Sequence, residues 1–179
     1  MSVLPGSGRP GRPRTAGVRR VTYVGDAGEI SARYRPSGEV PEVSSRSGVR
    51  RRLIVPGSLT DGRFGLFEWH MPARAGGPQP HFHKTFGESF YITAGTVRLY
   101  DGGHWVDATP GDFLYVPEGG VHAFRNDADE AASMLIVFAP GLPRERYFAE
   151  VAEIEASGRT LSRDEWTELY ARHDQYRAS

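Results

Sequence analysis

Residues 81–95 run HFHKTFGESFYITAG, with His81 and His83 two apart, just ahead of a stretch rich in β-branched and aromatic side chains. Side chains two apart on a strand project from the same face. If 80–84 is a strand, both imidazoles therefore point one way. Glu88 opens the next candidate strand, 88–93, across the short turn Thr85-Phe86-Gly87. Far downstream, His122 stands on a further candidate strand behind Pro117-Glu118-Gly119-Gly120. Three neutral imidazoles and one carboxylate are a suitable ligand set for a divalent first-row transition metal, with room left for water, dioxygen or substrate.

The same pattern extends outward from this stretch. Candidate strands lie at 52–55, 64–71, 80–84, 88–93, 96–101, 104–107, 113–116, 121–126 and 132–138, separated by Gly, Pro and Asp. Asp101-Gly102-Gly103 is a hairpin signal, because glycine supplies the positive φ such turns need. Many short strands without a βαβ alternation predict an all-β sandwich or barrel. After Gly141 the period changes: Tyr147, Phe148, Val151 and Ile154 recur at helical spacing until Ser157-Gly158 breaks the run. Ser162-Arg163-Asp164-Glu165 reads as a capping box that starts a second helix, with Leu161 and Trp166 placed as its hydrophobic staple. Both helices are expected to cover an end or edge of the β body.

Two spaced motifs then carry a resemblance. His81-x-His83-x4-Glu88-x6-Gly95 is similar to the first cupin motif, and Gly111-x5-Pro117-x-Gly119-x2-His122-x3-Asn126 to the second, with 15 residues between Gly95 and Gly111. The leading glycine of the first motif falls on Ala75, beside Gly76 and Gly77, which shifts a turn by one residue. The resemblance implies a double-stranded β-helix, the cupin jelly-roll barrel, with C-terminal α-helices. It implies that His81, His83, Glu88 and His122 hold one divalent ion (Fe, Ni, Co, Mn, Cu or Zn), that the glycines serve turns, and that Asn126 bonds backbone near a strand end. His70, His104 and His173 are expected to be surface or otherwise satisfied histidines.

Strand parity predicts the lining of the site. With Glu88 inward, Phe90 and Ile92 follow, while Ser89, Tyr91 and Thr93 face out; Phe124 accompanies His122. Trp69, Met134 and Phe138 complete an aromatic, largely apolar substrate pocket. Lys84 and Arg125 have the wrong parity to join it, which disfavours phosphate-bearing substrates and small dicarboxylates. Glu88 to Leu99, Pro110-Gly111-Asp112-Phe113, Val116-Pro117 and Arg146-Tyr147-Phe148 resemble bacterial quercetin (flavonol) dioxygenase-like cupins. That resemblance implies a metal-dependent dioxygenase acting on a small aromatic, flavonol- or polyketide-like molecule, with Glu88 as catalytic base. The alternatives are a non-oxidative metal cupin (cyclase, isomerase or lyase) and a non-catalytic small-molecule-binding cupin.

Composition sets the frame for this reading. The 179 residues are 39% hydrophobic and 25% charged and include no cysteine, which excludes disulfides, thiolate metal sites and thiol nucleophiles. No apolar stretch reaches the ~18 residues of a membrane span, and no secretory h-region precedes the body, so a cytoplasmic location is expected. Zero net charge hides an asymmetry: residues 1–52 hold 11 Arg against four acids. Without a nucleic-acid motif, that arm is not expected to bind nucleic acid. Gly6-Ser7-Gly8-Arg9-Pro10-Gly11 matches a dinucleotide fingerprint in letters only, for it lacks the strand before and the helix after. The expected organisation is a disordered leader over 1–20, an N-terminal arm over 21–51, the barrel over 52–140 and a helical extension over 141–179. Outward apolar residues, notably Tyr91 beside Phe82, predict a homodimer.

Overall fold

The computed structural model describes residues 22–178, so the leader expected over 1–20 lies outside the described residues. Two units are distinguished, one ending at Tyr34 and one running from Arg35 onward. The described part of the first, 22–34, forms no helix or strand and leaves Tyr23, Val24, Ile30 and Tyr34 exposed.

The second unit opens with β1 (Glu42–Ser44), β2 (Arg50–Val55), β3 (Gly65–Met71), β4 (His81–Phe82) and β5 (Gly87–Ala94). It continues with β6 (Val97–Tyr100), β7 (Trp105–Ala108), β8 (Phe113–Val116), β9 (Ala123–Arg125) and β10 (Ala132–Ala139), then α1 (Arg144–Ser157), α2 (Arg163–Arg172) and β11 (Tyr176–Arg177). Every strand expected between 52 and 140 is present, with ends moved by at most two residues. β1 and β11, three and two residues long, carry too short an alternation to show in the sequence.

The strands form two facing layers. One is a six-stranded antiparallel sheet in the order β1-β2-β3-β10-β5-β8; the other combines β7-β6-β9 with β11-β4. The reciprocal backbone bridge His81–His122 links the two smaller sheets. Period-2 alternation gives each strand one inward face: Phe67, Trp69 and Met71 on β3, Phe90 and Ile92 on β5, and Met134, Ile136 and Phe138 on β10. In register, Ile136 lies between Phe67 and Phe90. Val97 and Leu99 of β6 and Phe124 of β9 meet them from the opposite layer in one core. Ser89, Tyr91 and Thr93 face away, as parity requires.

Gly77 and Gly95 are among the glycines demanded by close approach. A Cβ at Gly77 would stand 1.7 Å from the Phe124 carbonyl oxygen, so the chain passes there only without a side chain. This accounts for the shifted leading glycine, since Ala75 is itself buried and accepts the Asn126 N–H at 2.9 Å. Gly95, at φ +65°, would place a Cβ 2.3 Å from the Ala131 carbonyl. Asn126 fastens the same corner: its Nδ2 donates to Pro72 O and Glu130 O, and its Oδ1 accepts from Ala128 N.

The helices form where the period changed. α1 ends at Gly158 in the left-handed conformation. α2 begins at the expected capping box, with Ser162 Oγ accepting from Glu165 N and Glu165 Oε2 from Ser162 N. Phe148 of α1 packs edge-on against Phe67 and Trp69, at 5.5 and 5.2 Å between ring centroids. The helices thus cover the β body and also supply walls of its cavity.

Candidate metal centre

His81 is carried by β4, His83 follows directly after it, Glu88 lies on β5, and His122 immediately precedes β9. The backbone sets their convergence. His81 N donates to His122 O at 3.0 Å, His122 N returns the bond at 2.9 Å, and Gly119 N donates to His83 O at 2.7 Å. Glu88 is placed from the other layer by its pairing opposite Val116 and Phe138. One ligand atom from each of the four residues lies within 4.8 Å of the others, and all four side chains are buried.

Each imidazole is oriented from behind. Nδ1 of His81, His83 and His122 lies 2.9, 2.6 and 3.0 Å from the carbonyls of Gln79, Asp174 and Gly120 respectively. A carbonyl can only accept, so each Nδ1 carries the hydrogen and each Nε2 is left for the interior. Glu88 Oε2 lies 2.9 Å from His122 Nε2 and 3.1 Å from His83 Nε2. With Nδ1 already donating, those contacts require an imidazolium or a cation among the four groups.

The electrostatics express that tension. Burial, and then the neighbouring His122, push the His81 pKa down to about 3. Burial alone would raise the Glu88 carboxyl, but hydrogen bonds from His122 and His83 outweigh it and hold the group well below the usual carboxylate range. Burial likewise opposes a proton on His122, yet the bond to Glu88 prevails and its pKa is raised. Three Nε2 lone pairs and an ionised carboxylate, converging and fixed by outer hydrogen bonds, fit a divalent transition ion.

A cavity of about 260 Å³ opens over His81 and Glu88. Trp69 and Phe124, both expected in the pocket, line it and pack edge-on at 5.5 Å. Phe90, Ile92, Met134 and Phe138 are closed into the core at no more than 1% exposure and do not line it. Phe90 backs the centre through ring contacts with His122 and Phe124.

The walls are less apolar than strand parity suggested. Arg51 and Arg144 both line the cavity, together with Tyr147, Tyr170 and Gln175, so arginines from outside the motif strands reach it where Lys84 and Arg125 do not. Arg51 was legible in principle: it shares a strand face with the buried Val49 and Leu53, but β2 begins two residues earlier than the sequence suggested. Arg144 gave no such signal, because it sits at the first position of a helix among other charged residues. It is 5% exposed, with Nη1 donating to His173 O and Nη2 to Gln175 Oε1. Burial pushes the Tyr147 hydroxyl up to about 12, so this phenol stays neutral. The remaining histidines are accounted for: His70 meets Ser133, His104 is exposed in the hairpin turn, and His173 pairs with Glu150.

Comparison with known proteins agrees with this architecture. The cupin domain family model matches residues 67–138, which contain the whole cluster. A stretch of 115 residues, 60% of the chain, is 32% identical to the quercetin 2,3-dioxygenase of Bacillus subtilis (strain 168) and covers 34% of that protein. The chain spans about a third to a half of the length of the curated relatives it matches. Among solved structures, the polyketide cyclase RemF from Streptomyces resistomycificus superposes with a TM-score of 0.51 at 20% identity, over 60% of this chain and 79% of that one. KdgF from Halomonas sp. gives a TM-score of 0.53 at 16% identity, over 61% and 94%. At such identities the structural likeness speaks for the fold alone. The matched segment, the paired sheets and the buried His-His-Glu-His cluster agree on a cupin domain over residues 67–138.

Proposed function

We propose that this cupin is a metal-dependent dioxygenase acting on a small aromatic hydroxy compound. The observation that carries the reading is the cluster itself: three imidazoles, each tied through Nδ1 to a backbone carbonyl, and one ionised carboxylate converge at the floor of an aromatic-walled cavity. The identity shared with a quercetin 2,3-dioxygenase supports the oxidative form of the chemistry.

His81, His83 and His122, through Nε2, and Glu88 would hold the ion. When bound, the ion supplies Lewis acidity toward a substrate oxygen and a centre for chemistry with dioxygen. Glu88, ionised at neutral pH, accepts the proton of the substrate hydroxyl at Oε2. Trp69, Phe124 and Phe148 hold the ring and exclude water. The neutral Tyr147 hydroxyl can donate a hydrogen bond and does not compete for the proton.

Metal analysis of protein purified without an affinity-tag metal column, followed by oxygen uptake with quercetin and no added reductant, tests the proposal. Dioxygenation places both oxygen atoms in the product and needs no external electron donor. Near-stoichiometric Fe, Ni, Co, Mn or Cu, with oxygen consumption lost in His83→Ala, is the expected result. Turnover that continues without oxygen would assign a cyclase, isomerase or lyase instead. Tight metal and ligand binding without any product would leave a binding protein.

The expected homodimer is part of the proposal, with its surface revised. Phe82 stacks on Tyr176 of β11, not beside Tyr91. Tyr91, Phe113 and Tyr115 are exposed together on the outer face of β5 and the edge strand β8, and a second copy of this chain would cover them. Sedimentation velocity should give a dimer that Phe113→Glu dissociates; a monomeric wild type would remove this element.

A further inference from the structure

We propose that the cavity takes an aromatic carboxylic acid, with the ionised carboxylate held by Arg51 and the ring lying between Trp69 and the metal centre. This deepens the metalloenzyme reading and rests on it only for the catalytic use of the bound anion.

Arg51 extends from β2 on the face of the buried Val49 and Leu53. Its guanidinium carbon lies 4.6 Å from the Trp69 ring centroid and 5.7 Å from that of Phe148. Neither ring offers the guanidinium N–H groups a conventional hydrogen-bond acceptor. Nε and Nη1 are buried and have no hydrogen-bond partner among the described residues. Buried donors on a charged group are costly when unpaired, so their presence inside a cavity calls for an anion to complete them. The protein's own candidate, Glu155, also lines the cavity, but its Oε2 accepts from Arg46 N at 3.2 Å.

A carboxylate suits the site better than a phosphate. A guanidinium meets a carboxylate through two parallel N–H···O bonds, and each of its two N–H edges includes one of the unpartnered nitrogens. A phosphate would need further donors, whereas the second arginine is mostly committed: Arg144 gives Nη1 and Nη2 to the chain and keeps only Nε unpartnered. Arg144 therefore adds fixed positive charge to the cavity without a second fork. The remaining wall is aromatic, and about 260 Å³ lies at the small end of ligand sites.

The test is isothermal titration calorimetry with 2-naphthoate and its uncharged near-isostere 2-naphthamide, on both metal-free and metal-loaded protein. Wild type should bind the carboxylate at least about tenfold more tightly than the amide in both forms, as a charge-assisted pair requires. Arg51→Gln should abolish that preference while leaving naphthamide affinity and metal content unchanged. Arg51→Lys should keep part of the preference, and it decides the matter if the glutamine variant does not fold. Equal affinity for the two probes, no binding of naphthoate, or an undiminished preference in Arg51→Gln would overturn the inference. A protein that binds naphthoate selectively yet takes up no metal would instead sink the metalloenzyme reading and leave this one standing.

Discussion

At the scale of single residues, Glu88 has two tasks that one substitution can separate. As a ligand it contributes charge and one oxygen; as a base it must accept a proton. Glu88→Gln keeps the shape and a carbonyl oxygen able to face an ion, but an amide cannot take up the substrate proton. We expect metal content to fall only in part while oxygen uptake drops about 10²–10⁴-fold, the usual range for general-base loss. Full activity in this variant would refute the base assignment. Gly77 tests packing in the same way. Gly77→Ala must drive the chain away from the Phe124 carbonyl beside His122, at a cost of about 1–3 kcal/mol by urea unfolding. The ligands were legible because strand parity and spacing are local properties. The need for a glycine at 77 was not, since the atom it avoids belongs to a strand far away in sequence.

At the scale of elements, the C-terminal tail links the helices to the metal centre. Asp174 holds a left-handed backbone conformation at φ +52°, and its carboxylate accepts from Lys84 N, Thr85 N and Thr85 Oγ1. Its carbonyl accepts from His83 Nδ1 at 2.6 Å, while β11 pairs with β4 through Tyr176 and Phe82. Asp174→Ala should release this clasp and lower metal affinity about 10–100-fold, as loss of outer-shell support does. Asp174→Asn, which tolerates the left-handed conformation and keeps one side-chain acceptor, should lose less. Competition with a chromophoric chelator measures both, and equal affinity in all three proteins would show the clasp to be irrelevant to the ion. The strand ladder and the α2 cap could be read ahead of the structure because alternation and capping are short-range signals. The clasp could not, because a backbone carbonyl carries no residue identity and a two-residue strand has no period. For the same reason the helices read as mere cover, although Arg144, Tyr147 and Tyr170 stand in the cavity wall.

At the scale of the whole molecule, the centre joins the two layers of the fold. Glu88 comes from the six-stranded sheet, and the three histidines from the linked smaller sheets. An ion bound to the folded chain and not to the unfolded one should stabilise the assembly by about 2.7 kcal/mol at a hundredfold excess over its Kd. The size of this effect depends on pH in a direction fixed by His122. Its raised pKa means that, without metal, the His122–Glu88 pair contributes stability below the ordinary imidazole value of 6.5, and that this is lost as pH rises through the folded-state value. Metal binding requires the deprotonated ring and follows the opposite trend. The difference in melting temperature between metal-loaded and chelator-treated protein should therefore widen as pH rises through the His122 transition. In His122→Ala that widening should disappear. A wild-type difference independent of pH across this range would mean that no proton leaves His122 when the ion enters, and the proton-sharing arrangement with Glu88 would have to be abandoned.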